Sequence, residues 1–308
     1  MPTVVITGAD GFIGTHLTKH LSANGYEVYA QVLKDSLTKT RLDNIPNVHI
    51  VEGELHCFEQ FIDRLPNAPL AFLHFAWAGV TPEQRTDLTV QMHNVTLSAD
   101  AVRLAAKLNA KKFISPGSTM EYIYCGRPIC KDAIPSPLNA YGVAKIAARY
   151  ACEVLCKELG IEFIYTVISG IYSEDRKDSN VIFYTIDQLL RKEKPSLTRL
   201  EQLWDYVHID DVVNAYRLII EKGKPDGFYT IGHGDNCPLS DYIYKIRDLI
   251  DPSLPLGIGE VPYTNDKMPC SCVDLKAIYE DTGFIPEVSF EDGISRVITA
   301  IKNQSLGG

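Results

Sequence analysis

Tyr141 and Lys145 stand four residues apart in LNAYGVAK, at what the pattern predicts is the start of a helix. That spacing puts both side chains on one helical face. A free tyrosine titrates at about 10, too high to exchange protons readily at neutral pH. An ammonium beside it lowers that value by favouring the phenolate. Such a pair can pass a proton to or from an alcohol or ketone while hydride moves to or from a nicotinamide. A Y-x-x-x-K arises often by chance, so its weight depends on what precedes it.

What precedes it is TGADGFIG, which sets Gly8, Gly11 and Gly14 between the first strand and its helix. The three glycines suit a tight turn, backbone approach to a pyrophosphate, and close helix–strand packing. Phe12 and Ile13 open the helix between them, and its free N–H groups and positive dipole end face the phosphates. The spacing is G-x-x-G-x-x-G rather than G-x-G-x-x-G, and its place inside a βαβ unit at the start of the chain points to dinucleotide binding. An NAD enzyme commonly carries an acidic side chain at the end of the second strand. Here that end reads Gln31-Val32-Leu33-Lys34. Lys34 either meets a 2′-phosphate or is a surface lysine, and the missing carboxylate tilts the choice toward NADP over NAD. Glu54 and Leu55, after the third strand, either reach the adenine edge or end the strand in solvent.

The elements around these residues alternate. Strands are expected at 3–8, 26–32, 48–51, 70–76, 112–115 and 161–169, with helices at 12–23, 87–109 and 141–159. That rhythm predicts an α/β fold, a Rossmann-type doubly wound parallel sheet. After residue 170 the rhythm breaks. Charged loops at 173–179 and 191–199 read as solvated surface. A helix is expected at 180–191, a return to the main sheet followed by a helix over 207–223, and further helices at 238–250 and 290–303. The expected division is a dinucleotide unit of 1–170 and 205–231, with a smaller discontinuous lobe of 171–204 and 232–308 for substrate. With 308 residues the chain can bury a large core without metal or disulfide. A net charge of −9 argues against nucleic acid as a partner. No apolar run approaches a membrane span, and the N-terminus enters a strand with no charged leader segment. Eight scattered cysteines fit reduced thiols in a cytoplasmic protein.

Taken together, TGADGFIG, LHFAWAG, Asn94, ISPGSTMEY, AYGVAK and DYVHIDDVVNAY resemble an extended short-chain dehydrogenase/reductase of the NAD-dependent epimerase/dehydratase family. The resemblance spans nearly the whole chain. It implies a nucleotide-activated sugar as substrate and NADP or NAD as cofactor. It also implies a triad of Ser118, Tyr141 and Lys145, with Ser118 hydrogen-bonding the sugar oxygen and Lys145 reaching the nicotinamide ribose. Phe75 and Ala76 are implied as cofactor contacts, Thr119 and Asn180 as substrate contacts. Helices 87–109 and 141–159 are implied to pair across a two-fold axis into a homodimer.

Departures from the family pattern narrow the chemistry. Sugar dehydratases of the family carry Asp-Glu after the Ser/Thr, where this chain has Thr119 and Met120, neither able to move a proton. Glu121, one place on, is expected to point elsewhere. Epimerases acting beside a ketone use a cysteine where Met120 stands. Two arginines that commonly clamp the diphosphate are replaced by Trp204 and Thr264, leaving Lys267 or Arg199 as substitutes or as surface residues. What remains is reduction of a 4-keto sugar, placed slightly ahead of 4-epimerisation of the UDP-glucose 4-epimerase kind. A redox-silent dinucleotide-binding regulator is the reading from another class. No metal site is expected: Cys270 with Cys272 and Cys152 with Cys156 lack zinc spacing. His74 reads as a satisfied core histidine, and His208 with Asp210 and Asp211 as organisers of a helix N-terminus.

Overall fold

Short β-branched runs with no polar alternation need cover on both faces, and they form the centre of the molecule. The computed structural model describes residues 1–175, 180–263 and 267–306. The strands are β1 (Thr3–Thr7), β2 (Glu27–Val32), β3 (Val48–Glu52), β4 (Ala71–His74), β5 (Lys112–Ser118) and β6 (Glu162–Ile168). Next come β7 (Gly170–Tyr172), β8 (Ser196–Leu197), β9 (Leu203–Trp204), β10 (Tyr206–His208) and β11 (Gly227–Ile231). Seven of them make one parallel sheet in the order β11-β6-β5-β4-β1-β2-β3. Val4, Val5, Ile6, Phe72, Leu73, Phe113 and Ile114 are wholly buried.

The helices are α1 (Phe12–Ala23), α2 (Leu88–Lys107), α3 (Ala140–Leu159), α4 (Val181–Leu190), α5 (Ile209–Lys222), α6 (Leu239–Ile250), α7 (Lys276–Thr282) and α8 (Phe290–Leu306). Leu17 and Leu21 of α1 join Val212, Ala215 and Ile219 of α5 on one face of the sheet. Ala101, Val102 and Leu104 of α2 and Cys152 and Cys156 of α3 join Val5 and Phe72 on the other. The fold is therefore a doubly wound Rossmann-like α/β structure. The chain starts at β1, runs outward to β3 and returns on the far side at β4, so a crevice opens between the carboxyl ends of β1 and β4.

One expectation about the sheet is corrected. The strand at 206–208 does not return to the main sheet; it pairs in parallel with β7 in a separate two-stranded ribbon. The seventh main-sheet strand is β11, paired along β6 from Gly227↔Ile164 to Ile231↔Ile168. The physical reason is β6's length: its edge is filled by the five-residue β11, leaving only the following three residues for β10. A third hydrophobic cluster joins Ile182, Phe183 and Ile186 of α4, Tyr242 and Ile246 of α6, and Phe290, Ile294 and Val297 of α8. It packs on Tyr172 and Tyr206 rather than on the main sheet. Two buried carboxylates fasten the surrounding chain: Asp205 accepts from the amides of His233, Gly234 and Asp235, and Asp211 from those of Glu287 and Val288. His208 caps α5 by accepting from the Asp210 amide.

Candidate active site

The glycine loop leads from β1 straight into the crevice. Gly8 has φ +65°, and a Cβ there would lie 2.6 Å from the Ala76 nitrogen, so the loops after β1 and β4 touch backbone to backbone. A Cβ on Gly14 would run into the Gly8 carbonyl. The N-cap of α1 is Gly11, which offers no capping side chain, and no acidic residue occupies the first turn. A bare helix N-terminus beside a glycine-flanked loop, whose Asp10 carboxylate is bonded to Ser36 and Thr38, is the shape a dinucleotide pyrophosphate requires. Phe12 and Ile13 lie in that first turn and pack against the α1 core.

At the end of β2, Gln31 is buried and donates to the carbonyls of Gly53 (2.6 Å) and Val32. The loop beyond it holds a feature that the spacing did not reveal. Asp10, between the first two glycines, accepts hydrogen bonds from Ser36 and from Thr38 (2.8 Å), tying the glycine loop to the loop after β2. Lys39 pairs with Glu52 at 2.7 Å and donates to the Lys34 carbonyl, whereas the Lys34 side chain is exposed. Glu54 is exposed beside His56, and Leu55 is buried in the core with Val51 and Phe58.

After β4 the chain is pinned from below. His74 sits between Thr7 Oγ1 (2.8 Å) and Ser98 Oγ (3.1 Å), where burial pushes its pKa down to about 3 and keeps it neutral. Phe75 packs edge-on to Tyr216, and the Ala76 amide faces Thr7 Oγ1. Asn94 of α2 clamps Ala78, accepting from its amide at 2.8 Å and donating to its carbonyl at 3.0 Å.

The Tyr141–Lys145 pair arrives from α3. Asn139 caps that helix by accepting from the Gly142 amide. Gly142 is required because a Cβ there would lie 2.6 Å from the Met120 carbonyl, the contact that lays the helix start on the loop after β5. Lys145 is buried, and its ammonium donates to the Pro116 carbonyl of β5 at 3.0 Å and lies 5.8 Å from the centre of the Tyr141 ring. Burial pushes its pKa down, opposed by the Glu121 carboxylate. Ser118, at the end of β5, accepts from the Met120 amide through Oγ, which leaves its hydroxyl proton for another acceptor. Thr119 is buried and accepts from Ser271 of the C-terminal segment at 2.9 Å.

Glu121 turns inward. Its Oε1 accepts from the Ser118 amide at 2.6 Å and from Tyr165 at 2.9 Å, and burial pushes its pKa up. A Cβ on Gly117 would lie 2.5 Å from that same oxygen, so this glycine makes room for the carboxyl. Among the implied substrate residues, Asn180 spends its side-chain oxygen on capping α4, at Ile182 N (3.0 Å) and Phe183 N (3.2 Å). Trp204 is half-buried and bridges Ser271, Arg199 pairs with Glu201 at the surface, and Lys267 lies 5.9 Å from the Tyr124 ring. Thr264 and residues 176–179 lie outside the described residues.

Two further side chains border the pair. Trp77 lies edge-on to the Tyr141 ring at 5.9 Å, and the Arg85 guanidinium stands 5.4 Å over that ring. Both belong to the loop after β4, whose position beside β1 is the signal that would have placed them at the crevice.

The family model for the NAD dependent epimerase/dehydratase family matches residues 4–232, and the chain belongs to that family. It is 26% identical over 299 residues to CDP-abequose synthase from Salmonella muenchen, covering 96% of this chain and 97% of that protein. It is 23% identical to GDP-6-deoxy-D-mannose reductase from Pseudomonas aeruginosa, covering 96% and 95%. Its fold matches the crystal structure of UDP-glucuronic acid 4-epimerase from Bacillus cereus in complex with NAD, with a TM-score of 0.82, 19% identity, and coverage of 98% and 99%.

Proposed function

From that membership we propose that the protein is an NAD(P)-dependent oxidoreductase that reduces the 4-keto group of a nucleotide-activated hexose. The observation that carries the choice of reaction is the direction of Glu121. Its carboxyl is bonded to Ser118 N and Tyr165, and the two residues between it and Ser118 are Thr119 and Met120, neither of which moves a proton. The chemistry is then confined to one carbon, without elimination and without proton abstraction beside the ketone. A relative named GDP-6-deoxy-D-mannose reductase supports reduction, and one named as a putative UDP-glucose 4-epimerase keeps 4-epimerisation as the second reading.

Gly8, Gly11, Phe12, Ile13 and Gly14 would hold a nicotinamide dinucleotide, with Phe75 and Ala76 beside it, and that group would supply the hydride when bound. Ser118 donates its free hydroxyl proton to the sugar oxygen and orients the carbonyl. Tyr141 delivers a proton to that oxygen as negative charge develops on it. Lys145 has one ammonium proton on the Pro116 carbonyl, and its remaining donors and charge favour the tyrosinate that results. The exposed Lys34 beside the end of β2 supports NADP as the preferred dinucleotide. The separate cluster of α4, α6 and α8 supports a two-piece substrate lobe. Exposed Met92 on α2 and Val143, Tyr150 and Val154 on α3 support a homodimer through those helices. Eight free thiols suit a reducing, cytoplasmic setting.

The test is NADPH consumption with a nucleotide-linked 4-keto hexose, followed by absorbance and by mass spectrometry of the sugar. Stoichiometric oxidation with gain of two hydrogens supports the reading. Purification with a full complement of bound NAD, and interconversion of gluco and galacto sugars without net cofactor use, would replace it with 4-epimerisation.

A further inference from the structure

Lys145 does not sit in its pocket on the Pro116 carbonyl alone. Its Nζ lies 3.6 Å from the centre of the Trp77 ring system, a cation–π contact at close range. The indole is held in that place by a chain of bonds. Its N–H donates to Gln91 Oε1 at 2.9 Å. Gln91 is wholly buried, and its amide nitrogen donates to the carbonyls of Gly79 (2.7 Å) and Gln84 (3.0 Å), which fixes which end of the amide meets the indole. Gly79 itself has φ +75°, and a Cβ there would stand 2.6 Å from Val90 and 2.8 Å from the Gln91 amide nitrogen. The loop after β4 is thus shaped to present one face of Trp77 to Lys145, with the Tyr141 ring nearly perpendicular beside it.

We propose that Trp77 is a positioning residue for the reaction: its indole face seats the Lys145 ammonium beside Tyr141 and keeps it charged. The proposal rests on the reading of Tyr141 and Lys145 as the reacting pair. An ammonium buried to this degree would shed its proton unless something compensates for lost water. The groups facing it are few. From α3 come Tyr141 and Cys152, the latter held protonated by burial with its pKa pushed up to about 12. From β4 comes His74, neutral. From the segment after β5 comes Glu121, whose Oε1 is occupied by Ser118 N and Tyr165. From the Trp77 loop itself comes Arg85, a further cation over Tyr141. The π face of Trp77 therefore supplies attraction where the described surroundings offer the Pro116 carbonyl and one partly engaged carboxyl.

The chain contains two tryptophans, Trp77 and Trp204, so Trp204→Phe isolates Trp77 emission. The expected result is a single step in that emission across about pH 6 to 10, the range over which a depressed lysine titrates. In the Trp204→Phe, Lys145→Met protein the step should vanish. This readout needs no substrate. In turnover, Trp77→Leu should lower kcat by about tenfold at neutral pH with KM little changed, and move the alkaline limb of the kcat profile down by about one pH unit. Trp77→Phe, which keeps an aromatic face, should recover part of both effects. Trp77 emission that ignores pH and is identical after Lys145→Met would overturn the proposal. So would an unmoved alkaline limb in both Trp77 variants. If Trp77→Leu fails to fold, the emission titration and Trp77→Phe still decide the matter. A normal emission step alongside full turnover by Tyr141→Phe would instead remove the catalytic reading and leave the seat for Lys145 in place.

Discussion

Replacing His74 by asparagine tests whether the ring beneath the crevice is buried as a neutral group. His74 is 2% exposed and hydrogen-bonded to Thr7 and Ser98. Burial, with the Lys145 ammonium second, pushes its pKa from 6.5 down to about 3. Below the unfolded value the unfolded chain takes up a proton that the folded protein refuses. The unfolded state then binds more protons, so stability falls as pH drops through the window from 6.5 to about 3. At about 1.4 kcal/mol per pH unit, acidification to about pH 5 costs roughly 2 kcal/mol from this residue alone. Urea unfolding of wild type and His74→Asn at about pH 7 and about pH 5 reads the effect as a difference of differences. At the higher pH the variant should be less stable by about 1–3 kcal/mol for its disturbed hydrogen bonds. At the lower pH that gap should shrink by roughly 2 kcal/mol. If the two proteins lose stability in parallel over this range, the ring is not held neutral and the reasoning fails.

Tyr141→Phe should lower kcat by at least about 100-fold, the scale of general acid–base catalysis, while NADPH affinity by fluorescence titration stays close to wild type. More than half the wild-type rate in that variant would discard the role given to Tyr141. Gly14→Ala should abolish dinucleotide binding, because the new methyl runs into the Gly8 carbonyl and lies 2.8 Å from the Ala9 Cα. An unchanged dissociation constant would show that the loop is not the phosphate cradle. Asn94→Ala frees both polar groups of Ala78 and should destabilise by about 2–4 kcal/mol in chemical unfolding. A loss under about 1 kcal/mol would mean that Ala78 finds other partners.

The parts of this protein that were legible in the chain are those whose physics is local. A glycine triplet between a strand and a helix reports on its own turn, since Gly11 and Gly14 serve backbone that is near in sequence, while Gly8 also makes room for the distant Ala76. Tyr141 and Lys145 share a face because a helix brings residues four apart together wherever it lies. The continuous apolar runs at 3–8 and 70–76 read as strands covered on both sides, and the sheet buries them so. Asn180 stands among the substrate contacts that the family resemblance implies, and the structure adds that its oxygen caps α4.

The remainder depended on the path of loops. Whether 206–208 or 227–231 completes the main sheet is a competition for the edge of β6, decided by strand length and by what β7 leaves free. Glu121 faces the core because Tyr165, on a neighbouring strand, offers it a hydroxyl and Gly117 leaves it room, neither of which has a periodicity to read. Asp10 became a tie between two loops through Ser36 and Thr38, partners set by the end of β2. Trp77 reaches Lys145 because β4 and β5 are adjacent and Gln91 turns the indole inward. The chain by itself determined the class of fold and the placing of Tyr141 and Lys145 on one helical face, through turn chemistry and helical spacing. Only the tertiary structure decided what surrounds that pair, because side chains distant in sequence meet there through strand order and loop conformation, which no local pattern encodes.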